Sequence, residues 1–255
     1  MEKLTLAKLV VISGAGLSVA SGVRAFRTDT DSGKAMWDEY DLEEVCNIQA
    51  FRGNFYHKTH SFYNKRREEL GTVEPNVAHL RIAEWYQRYP GKVKNVTTNV
   101  DDLLERAGIP EEDIVHVHGR LTYLRYIMNE GDAEQCVDIG YTQIEPDDYH
   151  WCKPDVVFFG EMAPKYQDMY NVFDDIMPND VIVLVGASNQ VINFIWDLFP
   201  AINRGAQLIV VNPQIDMNER YQMETNGIRY FRTTAEDAFC DPEFLALVEG
   251  ALERG

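Results

Sequence analysis

The chain has 255 residues, 45% of them hydrophobic and 11% aromatic, which is enough for one or two folded domains and excludes a disordered or fibrous polymer. Its 24 Lys plus Arg stand against 41 Asp plus Glu, a formal net charge of −17. That balance argues against nucleic-acid binding through a broad phosphate-neutralising surface and favours basic protein partners.

The first predicted strand is a β-branched run over 9–12, which opens into Ser13-Gly14-Ala15-Gly16-Leu17-Ser18 and then Ala20-Ser21-Gly22. Glycines placed after a strand, where a helix should start, let the backbone approach a pyrophosphate and meet it with N–H groups. The third glycine of G-x-G-x-x-G falls at Val19, so the fingerprint is incomplete and a ligand-free turn stays open; no G-x-x-x-x-G-K-[ST] occurs. Residues 28–70 are polar with helical spacing, and a helix is expected over 76–86. A second run, 93–100, ends in Thr97-Thr98-Asn99-Val100-Asp101 before a helix over 101–107. Strand carboxyl ends line the crevice of an open α/β sheet, which aims Asn99 and Asp101 at a ligand; capping the next helix is their alternative role.

A third run, 114–117, closes on His116-Val117-His118-Gly119. Alternation puts both imidazoles on one face, but a metal site would need a third ligand, and neither this pair nor His57 with His60 has one nearby. No metal is therefore expected. His118 is the better candidate for a general base, because a neutral imidazole accepts a proton at cellular pH. Residues 121–152 read as loops and short strands with an acidic run. Further apolar runs follow over 156–159, 181–185 and 208–211, ending in Gly160-Glu161, Gly186-Ala187-Ser188 and Asn212-Pro213, with a helix expected over 189–202. Apolar strands alternating with helices imply a doubly wound α/β fold around a parallel sheet. The expected division is a large part from 1–28, 71–120 and 153–255, and a smaller lobe from 29–70 and 121–152.

No apolar run approaches 18 residues, and residues 1–10 carry Glu2, Lys3 and Lys8 without a cleavage pattern, so no membrane association and a cytoplasmic location are expected. Cys46, Cys136, Cys152 and Cys240 are scattered, which favours reduced thiols over a disulfide framework.

Taken in order, these segments resemble the sirtuin family of NAD-dependent protein deacylases. Its pattern G-A-G-[IL]-S with S-G-[IV]-x-x-F-R stands at 14–18 and 21–27, its T-Q-N-[IV]-D at 97–101, its H-G at 118–119, its F-G-E at 159–161, its G-[TA]-S at 186–188 and its strand-ending asparagine at Asn212. The resemblance implies a Rossmann-like NAD-binding domain with an inserted lobe. NAD would contact Gly14, Ala15, Gly16, Ser18, Val23, Phe26, Arg27, Thr98, Gly186, Ala187, Ser188 and Asn212. Asn99 and Asp101 would hold the nicotinamide amide, and His118 would act as base toward the ribose hydroxyls. Val157, Phe158, Phe159 and Gly160 would pair with an acyl-lysine peptide as an added strand.

Tyr63 and Arg66, three residues apart on one predicted helix face, can bind a carboxylate, and the pair resembles that of family members preferring succinyl-, malonyl- or glutaryl-lysine. Solvent-exposed pairing with Glu68 and Glu69 is the alternative. The lobe keeps only Cys136 and Cys152 of the family's four zinc cysteines, so zinc is not expected and packing by Tyr123, Tyr126, Tyr141 and Trp151 should hold it. Thr98 replaces the usual glutamine, and Arg24 stands where proline is common. Two rival activities remain at this point: ADP-ribosyl transfer to protein or water, and NAD binding without turnover. Oligomeric state is not legible.

Overall fold

The computed structural model describes residues 7–24, 40–188 and 191–253. The described strands are β1 Leu9–Ser13, β2 Val93–Thr97, β3 Ile114–His116, β4 Gly119–Ile127, β5 Gln135–Asp138, β6 Trp151–Val156, β7 Val181–Val185, β8 Gln207–Val211 and β9 Arg229–Phe231. The helices are α1 Leu42–Val45, α2 Ile48–Arg52, α3 Tyr56–Leu70, α4 Val77–Arg88, α5 Leu103–Arg106, α6 Tyr166–Asp174, α7 Phe194–Asn203, α8 Met217–Thr225, α9 Ala235–Ala238 and α10 Pro242–Glu253.

Six strands form one sheet in the order β3-β2-β1-β7-β8-β9, with every neighbouring pair parallel. β1 and β7 are buried along their whole length because both faces are covered. Leu9 and Val11 face a layer containing Ile82, Trp85, Phe239 and Phe244, whereas Val10 and Ile12 face Met169, Phe173, Leu198 and Met223. A strand period of two applied to continuous apolar runs yields this two-sided core. The strand order reverses between β1 and β7, and at such a switch point the departing loops open a crevice at the carboxyl ends.

Several expectations are corrected. Residues 156–159 are not a strand of the parallel sheet: β6 ends at Val156 and runs antiparallel to β4 in a second sheet ordered β5-β4-β6. The apolar character of this run comes from packing on Phe51, Phe62 and Tyr63, and a short apolar run does not reveal which partner buries it. The sixth parallel strand is β9, three partly exposed residues at the sheet edge. β2 stops at Thr97, and the helix expected from 189 starts at Phe194, where the Asn193 side chain accepts from the Trp196 N–H. After the glycine turn stand two single 3-10 turns, Ala15–Leu17 and Val19–Ser21, rather than an α-helix.

In the small sheet Arg125 lies opposite both Cys136 and Lys153, and Tyr126 opposite both Gln135 and Cys152. Adjacent residues of a strand point to opposite faces, so Cys136 and Cys152 are turned apart. Tyr126 meets Tyr149 edge-on at 5.2 Å, and the Tyr123 hydroxyl donates to Glu111 and the Tyr141 hydroxyl to Asp102. Arg67 of α3 is fully buried and donates to the Thr142 carbonyl and to Asn64, whose amide also bonds main chain at Ile144. No helix among the described residues is long and apolar enough to cross a membrane.

Candidate functional site

The two glycine-bearing loops at the β1/β7 switch point are locked together. Gly14 N–H donates to Val185 O and Gly16 N–H to Gly186 O, at 2.9 and 3.0 Å. A Cβ on Gly14 would lie 2.7 Å from Gly186 O, and one on Gly16 would lie 2.6 Å from Gly186 Cα. Gly186 has φ +63 and would place a Cβ 2.5 Å from Leu17 N. Glycine is therefore required by contact at all three positions and by backbone conformation at Gly186. The N–H groups of Leu17 and Ser18 are also used within the turn, so only that of Ala15 lacks a partner among the described residues. Asn212 holds the neighbouring loop, donating to Ala187 O at 2.9 Å and accepting from Gln214 N–H. Ser188 is exposed beside it.

At the end of β2 a buried hydroxyl ladder aims Asn99. Ser13 Oγ donates to Thr97 Oγ1, which accepts also from Asn99 N–H, while Thr98 N–H and its hydroxyl both go to Ser13 O. Asn99 Nδ2 donates to Ser18 Oγ at 3.1 Å, and Ser18 Oγ donates to Asp101 Oδ2 at 2.8 Å. Asp101 Oδ1 accepts from Leu103 N–H, so this buried carboxylate also ties down the first residue of α5. Burial pushes its pKa up to about 6, against the pull of the Ser18 and Leu103 hydrogen bonds.

Two residues of this network, Asn76 and His79, were not singled out from the sequence. Asn76 caps α4 and donates to Leu17 O, and His79 Nδ1 accepts from Asn76 N–H. The ring proton then sits on Nε2, 3.4 Å from Ser18 Oγ. His79 is wholly buried, which lowers its pKa to about 4. The available signal was Asn76-Val77-Ala78-His79 at a helix start, a capping box with histidine in the glutamate position.

His118 lies just past β3, partly buried beside the Thr98 main chain. Burial lowers its pKa, against an opposing pull from the Thr98 backbone, which leaves a neutral ring able to accept a proton. His116 is engaged elsewhere: Nε2 is 2.7 Å from Glu105 Oε1 and Nδ1 is 3.4 Å from Asn99 O. Val23 N–H closes on Ser18 O. Phe26 and Arg27 lie outside the described residues.

On the lobe side, Tyr63 and Arg66 are both buried on α3. The Tyr63 ring stacks on Phe158 at 5.5 Å and 13°, and its hydroxyl is 3.5 Å from Cys46 Sγ. Burial holds that phenol well above its ordinary pKa, so it stays protonated. Arg66 donates to Glu69 at 2.9 Å, an anion that Arg24 shares. In the stretch 157–160 the N–H groups of Val157, Phe158 and Phe159 already bond His118 O, Glu161 Oε2 and Cys46 O. Of the four N–H groups, that of Gly160, a residue at φ +84, has no partner among the described residues. A groove of about 570 Å³ runs beside this turn, lined by Val157, Glu161, Met162 and Arg52 among others.

Among the described residues no three His, Cys, Asp or Glu side chains converge as metal ligands, and Cys136 with Cys152 is turned the wrong way to share an ion. Cys152 is buried, with its Sγ 3.2 Å from the Tyr56 hydroxyl and 3.6 Å from His60 Nε2. Burial raises the thiol to about 11 and lowers the imidazole to about 4.

The Sir2 family model matches residues 14–193. A Helicobacter hepaticus protein named NAD-dependent protein deacylase is 41% identical over 206 residues, covering 73% of this chain and 76% of its own. Two solved structures are also similar: a Sir2 homologue mutant in complex with ADP-ribose, with TM-score 0.77, 28% identity and coverage of 97% and 94%, and a Sir2 homolog–NAD complex, with TM-score 0.73, 29% identity and coverage of 96% and 90%.

Proposed function

Because this chain belongs to the Sir2 family, we propose that it is an NAD-dependent protein lysine deacylase that removes acetyl and acidic acyl groups, releasing nicotinamide and O-acyl-ADP-ribose. The parallel-sheet part, from the expected 1–28, 71–120 and 153–255 less the strands and turn of the small sheet, serves as the nucleotide-binding part, and the small sheet β5-β4-β6 with its following turn and 29–70 as the substrate-side lobe. The residues present suit NAD. The locked glycines leave a side-chain-free surface with the Ala15 N–H in it, where an added Cβ would collide. When bound, NAD supplies a glycosidic bond whose cleavage opens the ribose C1′ to the acyl oxygen of the substrate.

The chain's own groups have separable tasks. Gly14, Ala15 and Gly16 receive the pyrophosphate, while Gly186, Ala187, Ser188 and Asn212 shape the adenosine side. Asn99 and Asp101, fixed on Ser18, present an amide and a carboxyl to the nicotinamide carboxamide. Val23, Phe26 and Arg27 complete the nucleotide contacts. Thr98 spends its hydroxyl on Ser13 O, which fixes the strand end that carries Asn99 and leaves that side chain unavailable to a ribose. His118 takes the proton of a ribose hydroxyl, so that this oxygen can bond the acyl carbon; the lysine amine leaves as its C–N bond breaks, and water completes O-acyl-ADP-ribose. The observation that carries this reading is that β3 and β2 are paired neighbours, so that His118, lowered by burial, follows one strand end while the Ser18–Asn99–Asp101 network is built at the other.

Tyr63 and Arg66 support an acidic acyl preference. The phenol stacks beside the substrate turn and remains a donor, and the guanidinium is buried, where a charge-assisted pair with a carboxylate is strong. Glu69 is the anion an acyl carboxylate would have to join or displace. Acyl-lysine proteins or peptides are the partners, with zinc playing no part. His118→Ala should retain NAD affinity within about threefold while deacylation of acetyl- and succinyl-lysine peptides falls by at least ~10³-fold. A fully active variant would remove His118 from this role.

A further inference from the structure

Lys153 is an unusual residue to find buried: it is only 6% exposed and sits on β6, between the lobe and the substrate turn. Its Nζ reaches three acceptors, the Pro154 and Val156 carbonyls and Glu161 Oε2, the last at 3.1 Å. Three acceptors satisfy the three donors of an ammonium, so the charge is fully engaged where it stands. Glu161 in turn closes the turn that follows β6. Its carboxylate accepts from Phe158 N–H at 2.8 Å, and its own N–H donates to Phe158 O at 3.0 Å. The same ammonium lies 3.9 Å from the centre of the Phe158 ring, whose other partners include Tyr63 in a parallel stack and Phe51 edge-on.

We propose that Lys153 is a positioning residue for acyl-peptide binding: through Glu161 it sets the backbone of the Phe158–Glu161 turn, and through Phe158 it sets the Tyr63 phenol. The inference rests on the reading that this turn receives the peptide. The argument is geometric. Without the ammonium, Glu161 would be a partly buried carboxylate with one main-chain donor, and its cheapest escape is to swing toward solvent and release Phe158 N–H. The Phe158 ring would lose a cation on its face and with it the restraint that keeps it parallel to Tyr63. The nucleotide side would not be touched, since Ser18, Asn99 and Asp101 are held by their own network.

The test is steady-state kinetics with acetyl- and succinyl-lysine peptides on the whole protein. Lys153→Met should raise KM for peptide by roughly tenfold, while kcat and KM for NAD stay within about twofold. Glu161→Gln should do the same, and the double variant should be no worse than the poorer single one, because both remove one coupled interaction. Lys153→Arg, which keeps the charge, should recover most of the lost affinity. If Lys153→Met does not fold, Glu161→Gln carries the same comparison. Unchanged peptide KM in both variants, a loss confined to kcat, or additive losses in the double variant would overturn the assignment. Wild-type protein without activity on either peptide would instead fail the functional reading on which the assignment rests.

Discussion

Two regions of the molecule are held together in different ways. Where β1 and β7 part, main chain locks against main chain: Gly14, Gly16 and Gly186 touch without side chains, and Asn99 and Asp101 hang from Ser18. In the lobe of β4, β5 and β6, side chains bear the load through Tyr126 on Tyr149, Phe158 between Lys153 and Tyr63, and Arg67 on Thr142 O. The first arrangement has no spare volume, so its residues are fixed by geometry. The second is an assembly of rings and long chains that can be repacked, which suits a region that has to read an acyl group.

The sharpest way to break this contrast is to add one methyl group on each side. Gly16→Ala should cost about 3 kcal/mol or more of folding stability and abolish NAD binding, because its Cβ meets backbone rather than a movable side chain. A conservative lobe change such as Tyr126→Phe should cost less than about 1 kcal/mol and leave NAD binding intact. Thermal unfolding and NAD titration check both, and equal losses would erase the distinction.

Each region also holds a histidine lowered to about 4 by burial, His79 in the nucleotide side and His60 in the lobe. An unfolded chain takes up those protons near pH 6.5, so between 6.5 and 4 the unfolded state binds more protons and stability falls as pH drops. Each contributes up to about 3 kcal/mol of that loss. Asp101, raised to about 6, works in the opposite sense: its carboxyl keeps a proton in the folded state that the unfolded chain releases above pH 3.8, so it favours the acid side of that window. Urea unfolding at pH 7.5 and 5 should show His60→Gln and His79→Gln each reducing the pH dependence, and an unchanged slope would contradict the assigned burial effects.

The smallest effect expected is one of selectivity. Arg66→Met should lower kcat/KM for a succinyl-lysine peptide about tenfold more than for an acetyl-lysine peptide. Equal losses would assign Arg66 to its ion pair with Glu69 instead.

The sequence made the nucleotide side legible because its constraints are local. Runs buried on both faces announce β1, β7 and β8, and glycine or small residues at their ends announce the switch point. Residues 156–159 misled because an apolar run does not state whether helices or a lobe cover it, and β9 escaped because three residues led by Arg229 carry almost no pattern. Asn99, Asp101 and His118 could be selected from motif and strand end, whereas His79 belongs to a helix cap and joins Ser18 only through tertiary packing. The lobe's clamp of Lys153 on Glu161 was hidden for the same reason: seven residues separate two charges whose pairing depends on the path of the turn between them.

The most direct test of the central claim is to quantify the products formed from NAD and an acyl-lysine peptide by mass spectrometry. One nicotinamide and one O-acyl-ADP-ribose should appear for each lysine freed. Nicotinamide released without deacylated peptide, or ADP-ribose found attached to protein, would contradict the account.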